Sequence, residues 1–528
     1  MQDRAKNCGQ LLTLLITAGF ATGCAAKFKV RENWNSQLSK PIPLSDVSVT
    51  WGQIRDGKMP TAEDLAEYNK AVTSSVVQVA NNWSTEEGSL PTVKTNSGDV
   101  ELDVKSINVR DVKLIDRVVP AEFINVRRGF KTTTDVEGIG CSLLVRQKQT
   151  QEDFMIPEKG LWYPATAVLN LDSQSQPVLE LFDPTRESYL PYGGNKFPLD
   201  ANYSAVFARD FQDRQTQFAD LPALLKFDKY DSKLGLYRAS AFDPQKEVCV
   251  LVHGIYSTPM TWDETLNEFY ADEALRERYE FWIFGYPTGA PIPYMASKFR
   301  GALREMQSFR AANGSNDLNV TVVGHSMGGL LSKAVTLSGG DGEWNSLFNV
   351  PIEELNVSDE DREVLREMIY YEPLPFVNKV IFCATPHKGS TLADKAIFRL
   401  VGGLVKLPRQ LSRLTEDIVE KSSYALTPLG LEIAHERPTS VDQLRSTSKA
   451  TEEFLDKPLN PNVRYFSVIG SSVSEGTKPL METTDNVVPY FSSHIGGVES
   501  EYIVYNSPHG LHKEKEGIRE IGRILKLP

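Results

Sequence analysis

The chain has 528 residues, more than one ordinary domain holds, so two or more domains are expected. Its composition, 41% hydrophobic and 24% charged, is that of a folded soluble protein and excludes a disordered or wholly membrane-embedded one. A net charge of −12 argues against a nucleic-acid partner, which would need a basic face.

The first 23 residues read as a signal peptide. Arg4 and Lys6 precede an apolar run, Leu11 to Phe20, that is shorter than the roughly 20 residues needed to cross a bilayer. The segment closes on Ala-Thr-Gly-Cys, which resembles a bacterial lipobox with Cys24 as the acylated first residue of the mature chain. Ala25 and Ala26 follow, with no Asp at the second mature position. The resemblance implies an outer-membrane-anchored lipoprotein of the cell envelope; a plain secretion signal cut near Ala25 is the alternative. Residues 24–106 read as a tether with one helix, Thr61 to Val79, capped by Thr61 and apolar at Leu65, Tyr68, Val72, Val76 and Val79.

Residues 107–237 read as a mostly β accessory domain. Leu161–Leu171 and Pro177–Pro184 are rich in branched and aromatic residues and end in turn signals, and Asn202–Phe211 reads as a further strand. Gly138 and Gly140 suggest a turn rather than a phosphate cradle. Cys141, Cys249 and Cys383 are far apart and odd in number, and are expected as small buried hydrophobes.

The pattern changes near Asp243, and residues 238–528 read as an α/β domain. Glu247–Gly254 is a continuous apolar strand, as in a parallel sheet covered on both faces. Tyr279–Pro287, Asn319–Gly324, Asn378–Thr385, Arg464–Gly470 and Glu501–Asn506 are further strands, alternating with helical segments such as Tyr294–Ala311. Residues 391–459 interrupt this rhythm. A basic helix with Ile397, Leu400, Leu404 and Leu407 on one face reads either as a cap over a hydrophobic acyl site or as a helix packed in the core.

Gly324-His325-Ser326-Met327-Gly328 fits G-x-S-x-G between an apolar strand and an apolar-periodic helix. A strand-to-helix turn this tight crowds the backbone. Glycines two before and two after the Ser remove side chains that would clash, and Ser326 is exposed at a helix N-terminus that favours developing negative charge. A nucleophilic Ser needs a base. The chain order Ser, acid, His puts the base after the last strand, where His509 and His512 stand. His509 is favoured; His512 is expected as a solvated residue at a helix start, and His325 is expected to point away from the Ser. Of the three carboxylates after the preceding strand, Glu475, Glu482 and Asp485, the last is favoured because the turn and apolar pair that follow would fix it. The backbone N–H groups of Met327 and Ile255 are the expected oxyanion donors, Gly254 allowing close approach. No cluster with metal-ligand spacing competes, and no cofactor is expected.

Together VLVHGIYSTPMTW, FGYPTG, VVGHSMGGLLSKAV, ATPHKGS, TTDNVVPY and NSPHGLH resemble the bacterial α/β-hydrolase lipase/esterase superfamily, in particular secreted, lipoprotein-like members with an N-terminal accessory domain. The resemblance spans about Asp243 to Pro528. Family members often carry Gly after the acid; here Asn486 stands there, and it tolerates the same left-handed turn. The resemblance implies an α/β-hydrolase fold and an ester or lipid substrate cleaved through an acyl-enzyme. Thioesterase or acyltransferase chemistry on the same residues, or an inactive binding protein, are the alternatives.

Overall fold

The computed structural model describes residues 27–33, 40–80, 91–109, 112–153, 155–172, 175–190, 196–218, 233–315, 318–390, 407–445, 448 and 456–528. The signal-peptide and Cys24 readings, and the basic helix up to Leu404, lie outside them.

The N-terminal half is built on a five-stranded sheet. In chain order its strands are β1 (Asp103–Ser106), β2 (Ile115–Pro120), β3 (Cys141–Gln147), β4 (Leu161–Leu171) and β5 (Pro177–Phe182), and in space they run β1-β5-β4-β3-β2. All pairings are antiparallel except β5 with β1. The helix expected from Thr61 spans Ala62–Ala80, with Asp64 N–H donating to the Thr61 hydroxyl at 3.1 Å. Tyr68, Val72, Val76 and Val79 bury against Leu143, Val145, Tyr163 and Leu169, so helix and sheet share one core. The division expected at 106/107 therefore falls beside β1, an edge strand of that sheet.

The C-terminal half is an α/β layer structure. Seven strands, β6 (Gly235–Arg238), β7 (Glu247–Val252), β8 (Tyr279–Gly285), β9 (Val320–His325), β10 (Val377–Cys383), β11 (Arg464–Ser471) and β12 (Ser500–Tyr505), run β6-β8-β7-β9-β10-β11-β12. Only β6 is antiparallel to its neighbour. The boundary expected at 237/238 runs through β6. Both faces are covered: Val248, Val250 and Val252 enter one core while Cys249 and Leu251 enter the other. That period-two division explains why the strands read as unbroken apolar runs. Cys141, Cys249 and Cys383 are free and buried.

The reading of Asn202–Phe211 as a strand is corrected. Tyr203–Phe218 is an α-helix, begun by Asn202, whose side-chain Oδ1 accepts from Ala205 N–H at 2.8 Å. Tyr203, Phe207 and Phe211 repeat every four residues and pack into the seven-stranded sheet's outer core, whereas Ala205 and Val206 pack on Trp162 and Leu144 of the other sheet. The first turns of this helix, Tyr203–Ala208, are buried on two sides and almost wholly apolar, and that stretch of sequence imitates a buried strand. Arg214 on this helix pairs with Asp210 at 2.5 Å and donates to the Arg238 carbonyl, and Arg238 pairs with Asp153, so buried charges tie the two halves.

Between β9 and β11 a helical layer covers one face. Asp341–Leu347, Asp359–Ile369, Arg409–Ser422 and Pro428–Glu436 meet through Leu347, Leu365, Leu411, Leu414 and Ile418. Among the described residues no helix is long and apolar enough to cross a membrane.

Candidate active site

The C-terminal ends of the parallel strands gather the residues singled out above. β9 ends at His325 and the next helix spans Met327–Ala334, leaving Ser326 alone to turn the chain. Ser326 takes φ 53°, ψ −125°, a conformation that costs a non-glycine residue on the order of 1–3 kcal/mol. Its N–H donates to the Cys383 carbonyl at the end of β10, at 2.8 Å, which holds the corner against the next strand. The flanking glycines are there because nothing larger fits. A Cβ on Gly328 would lie 2.3 Å from the Val252 carbonyl oxygen, and one on Gly324 would lie 2.4 Å from Ser332 Oγ. Met327 N–H is the first of its helix and has no acceptor within it.

The loop after β7 passes directly beside this corner. A Cβ on Gly254 would stand 2.8 Å from Ser326 Cβ, so the backbone leading into Ile255 is as close as chains can pack. Tyr256 follows at φ 57°, its N–H donating to Thr288 Oγ1 at 3.3 Å.

His509 lies in the loop after β12, and its Nδ1 is 2.7 Å from Asp485 Oδ2. Both are buried, Asp485 at 1% exposure and His509 at 7%. The other Asp485 oxygen accepts from Val487 N–H at 2.8 Å and Val488 N–H at 2.7 Å. Asn486 adopts φ 76°, which turns those two donors back onto the carboxylate. An ionised carboxylate can only accept, so Nδ1 of the neutral imidazole carries the proton and Nε2 presents a lone pair. Glu475 and Glu482, the rival acids, are exposed.

Two further histidines lie close by. His325 makes a contact the sequence did not signal: its Nε2 is 2.8 Å from the His509 carbonyl oxygen, and the two ring centres are 4.7 Å apart. His512 is not solvated. It is 1% exposed, its ring lies 3.9 Å from that of His325, and its Nε2 meets Thr261 Oγ1 at 2.8 Å. Burial, more than the neighbouring charges, holds both imidazoles well below the ordinary histidine range. No pattern in the sequence signals either contact, since both depend on β9 and the loop after β12 meeting in space. His253 is buried against Tyr286, and desolvation pushes it down to about 4. His435 and His494 bond locally, to the Leu431 carbonyl and to Glu501. Among the described residues no group of three or more His, Cys, Asp or Glu side chains could hold a metal ion.

An apolar cavity of about 150 Å³ lies within the helical layer, lined among others by Phe348, Met368, Leu407, Leu414, Ile418 and Ile433. Hydrogen bonds join its wall and the adjoining helix to the segment after β8. Gln443 on its wall accepts from Ile292 N–H at 2.6 Å, and Ser440 donates to the Thr288 carbonyl at 2.5 Å, the same Thr288 that meets Tyr256.

No protein-family model matches the chain, and no curated protein matches it. Solved structures do. The mature form of a Bacillus licheniformis lipase is 17% identical over 54% of this chain and 93% of its own, with a TM-score of 0.32. A lipase-esterase related protein of Clostridium acetobutylicum is 13% identical over 56% and 98%, TM-score 0.28. Esterase B of Lactobacillus rhamnosis is 12% identical over 55% and 78%, TM-score 0.30. At these identities, and with TM-scores below 0.5, the likeness says nothing of what this chain acts on.

Proposed function

We propose that this chain is a serine carboxylic-ester hydrolase of the lipase/esterase type, with an α/β-hydrolase catalytic domain, a helical cap and a β accessory region. Ser326 Oγ attacks the ester carbonyl while His509 Nε2 takes its proton. Asp485 keeps the imidazole in the required tautomer and stabilises its charged form. The N–H groups of Met327 and Ile255 receive the oxyanion, each worth about 3 kcal/mol of barrier. His509 then protonates the leaving alcohol, and water repeats the cycle on the acyl-enzyme.

One observation supports the reading: a strained Ser at a strand–helix corner directly follows His325, whose Nε2 bonds the main-chain carbonyl of His509, and His509 pairs with buried Asp485 at 2.7 Å. The apolar cavity suits the alkyl part of an acyl group. Anchoring through Cys24 in the cell envelope belongs to the same proposal and would bring a lipid substrate within reach.

The test is turnover of p-nitrophenyl esters from acetate to palmitate by the soluble chain from residue 25. Activity should fall by about 10⁶ in Ser326→Ala, the loss seen when such a nucleophile is removed. Undiminished turnover in that variant would end the proposal. Anchoring is read separately: Cys24→Ala expressed in full should move from the membrane to the soluble fraction.

A further inference from the structure

The mechanism above uses one imidazole, yet three lie together. His325 and His512 are buried, and neither has a part in the proton transfers. We infer that His325 is a positioning residue for His509, gripping the main chain from which that imidazole projects, with His512 wedged behind it as a brace. The inference rests on the proposed Ser326–His509–Asp485 chemistry.

The grip is a hydrogen bond to the carbonyl of His509 itself, at 2.8 Å. A carbonyl only accepts, so His325 Nε2 carries the proton and Nδ1 does not; Nδ1 is buried without a hydrogen-bond partner. A buried imidazole that leaves one nitrogen unsatisfied is costly as mere filler, where a phenyl ring would pack as well. The bond also joins the two loops that must stay in register. His325 is the last residue of β9 and covalently precedes Ser326, while its acceptor belongs to the loop after β12. One side chain therefore sets the spacing between nucleophile and base, which no contact of Asp485 can do.

The brace completes the arrangement from the other side. His512 packs on His325 with ring centres 3.9 Å apart. Its Nε2 meets Thr261 Oγ1 at 2.8 Å, its carbonyl accepts from Thr265 Oγ1 at 2.6 Å, and Trp262 stacks obliquely on its ring. The loop after β7 thereby backs the His325 ring, and Gly254 closes its remaining side, since a Cβ there would come 3.2 Å from His325 Nδ1. The ring has no alternative rotamer without breaking these contacts.

Two substitutions separate gripping from filling. His325→Phe keeps the ring and removes the donor; His325→Gln keeps an N–H donor at a similar reach. Because a displacement near 1 Å costs about 10²-fold, kcat in His325→Phe should fall by roughly 10- to 100-fold with KM changed less than about twofold, and His325→Gln should recover most of it. Ser326→Ala, run alongside, must be inactive for the underlying reading to stand. If Ser326→Ala is inactive while His325→Phe turns over like the wild type, or if Phe and Gln lose equally, the inference is overturned and the hydrolase reading survives. If Ser326→Ala remains active, both fall. Should His325→Phe fail to fold, the isosteric Thr261→Val, which strips the brace of its partner, decides in its place: a several-fold loss in kcat at constant KM supports the inference, and unchanged kcat overturns it.

Discussion

The two sheets of this protein handle strain in opposite ways. Among the described residues seven non-glycine residues have left-handed φ, and five of them follow strands of the seven-stranded sheet: Tyr256, Ser326, Ala384, Asn486 and Asn506. The described N-terminal half, by contrast, contributes Ser175. Two of its buried or half-buried polar groups are paired across long stretches of chain. Tyr68 donates to the Leu169 carbonyl at 2.7 Å and accepts from Leu169 N–H, and Asp200 accepts from Ser142 N–H at 3.0 Å. Strained backbone costs on the order of 1–3 kcal/mol per residue, so a cluster of it at one edge of a sheet persists only where surrounding packing over-determines it. The lesson is a division of labour: the N-terminal sheet is relaxed, and the C-terminal edges of the parallel strands hold chain geometry that serves something other than stability.

That contrast can be broken or sharpened experimentally. The largest effect is expected at Ser326, whose replacement by Ala should remove catalysis while sparing the fold. Next comes Asp485→Asn, which leaves the shape intact but lets the amide donate to the imidazole and favours the wrong tautomer. A loss in kcat of about 10³- to 10⁴-fold is expected, measured on the ester turned over fastest. A fall of less than tenfold would mean that Asp485 does not orient the base.

A smaller effect concerns pH. Burial holds His253 near 4 in the fold, against an ordinary value of 6.5. The unfolded chain takes up this proton below pH 6.5 and the folded chain does not until near pH 4. Stability contributed by the neutral ring is therefore complete above pH 6.5 and declines as pH falls towards 4, by about 3 kcal/mol in total. His253→Phe removes the titration, so denaturant melts should show the stability difference moving in the variant's favour by that amount between pH 7 and 4. A constant difference would place a charged His253 in the fold.

The smallest effect tests the relaxed half. Tyr68→Phe deletes a hydroxyl bonded to both groups of Leu169, and unfolding free energy should drop by about 1–2 kcal/mol with kcat and KM unchanged. A change in kcat would show that the two halves are not functionally separable, which the buried Arg214 and Arg238 contacts make a meaningful control.

Much of this arrangement was legible before any coordinates. Parallel strands buried on both faces leave unbroken apolar runs, and each of the six expected in the C-terminal half is present. The glycines around Ser326 mark a crowded corner because crowding forbids every other residue there. Asp485 and His509, chosen by chain order, lie within hydrogen-bond distance. What the sequence concealed is of one kind, namely elements defined by two-sided or long-range packing. The first turns of Tyr203–Phe218 read as a strand because both of their faces are covered. His325 and His512 read as bystanders because their contacts join segments nearly two hundred residues apart in the chain.

The central claim is that Ser326 is a nucleophile made reactive by His509 and Asp485, and covalent trapping tests it most directly. The chain is treated with a p-nitrophenyl alkylphosphonate and digested, and the adduct is mapped by mass spectrometry. One phosphonyl group per chain on Ser326, lost in Ser326→Ala and greatly slowed in Asp485→Asn, is the result expected. An unmodified Ser326 in a folded chain, or an adduct on another serine that persists in Ser326→Ala, would contradict it.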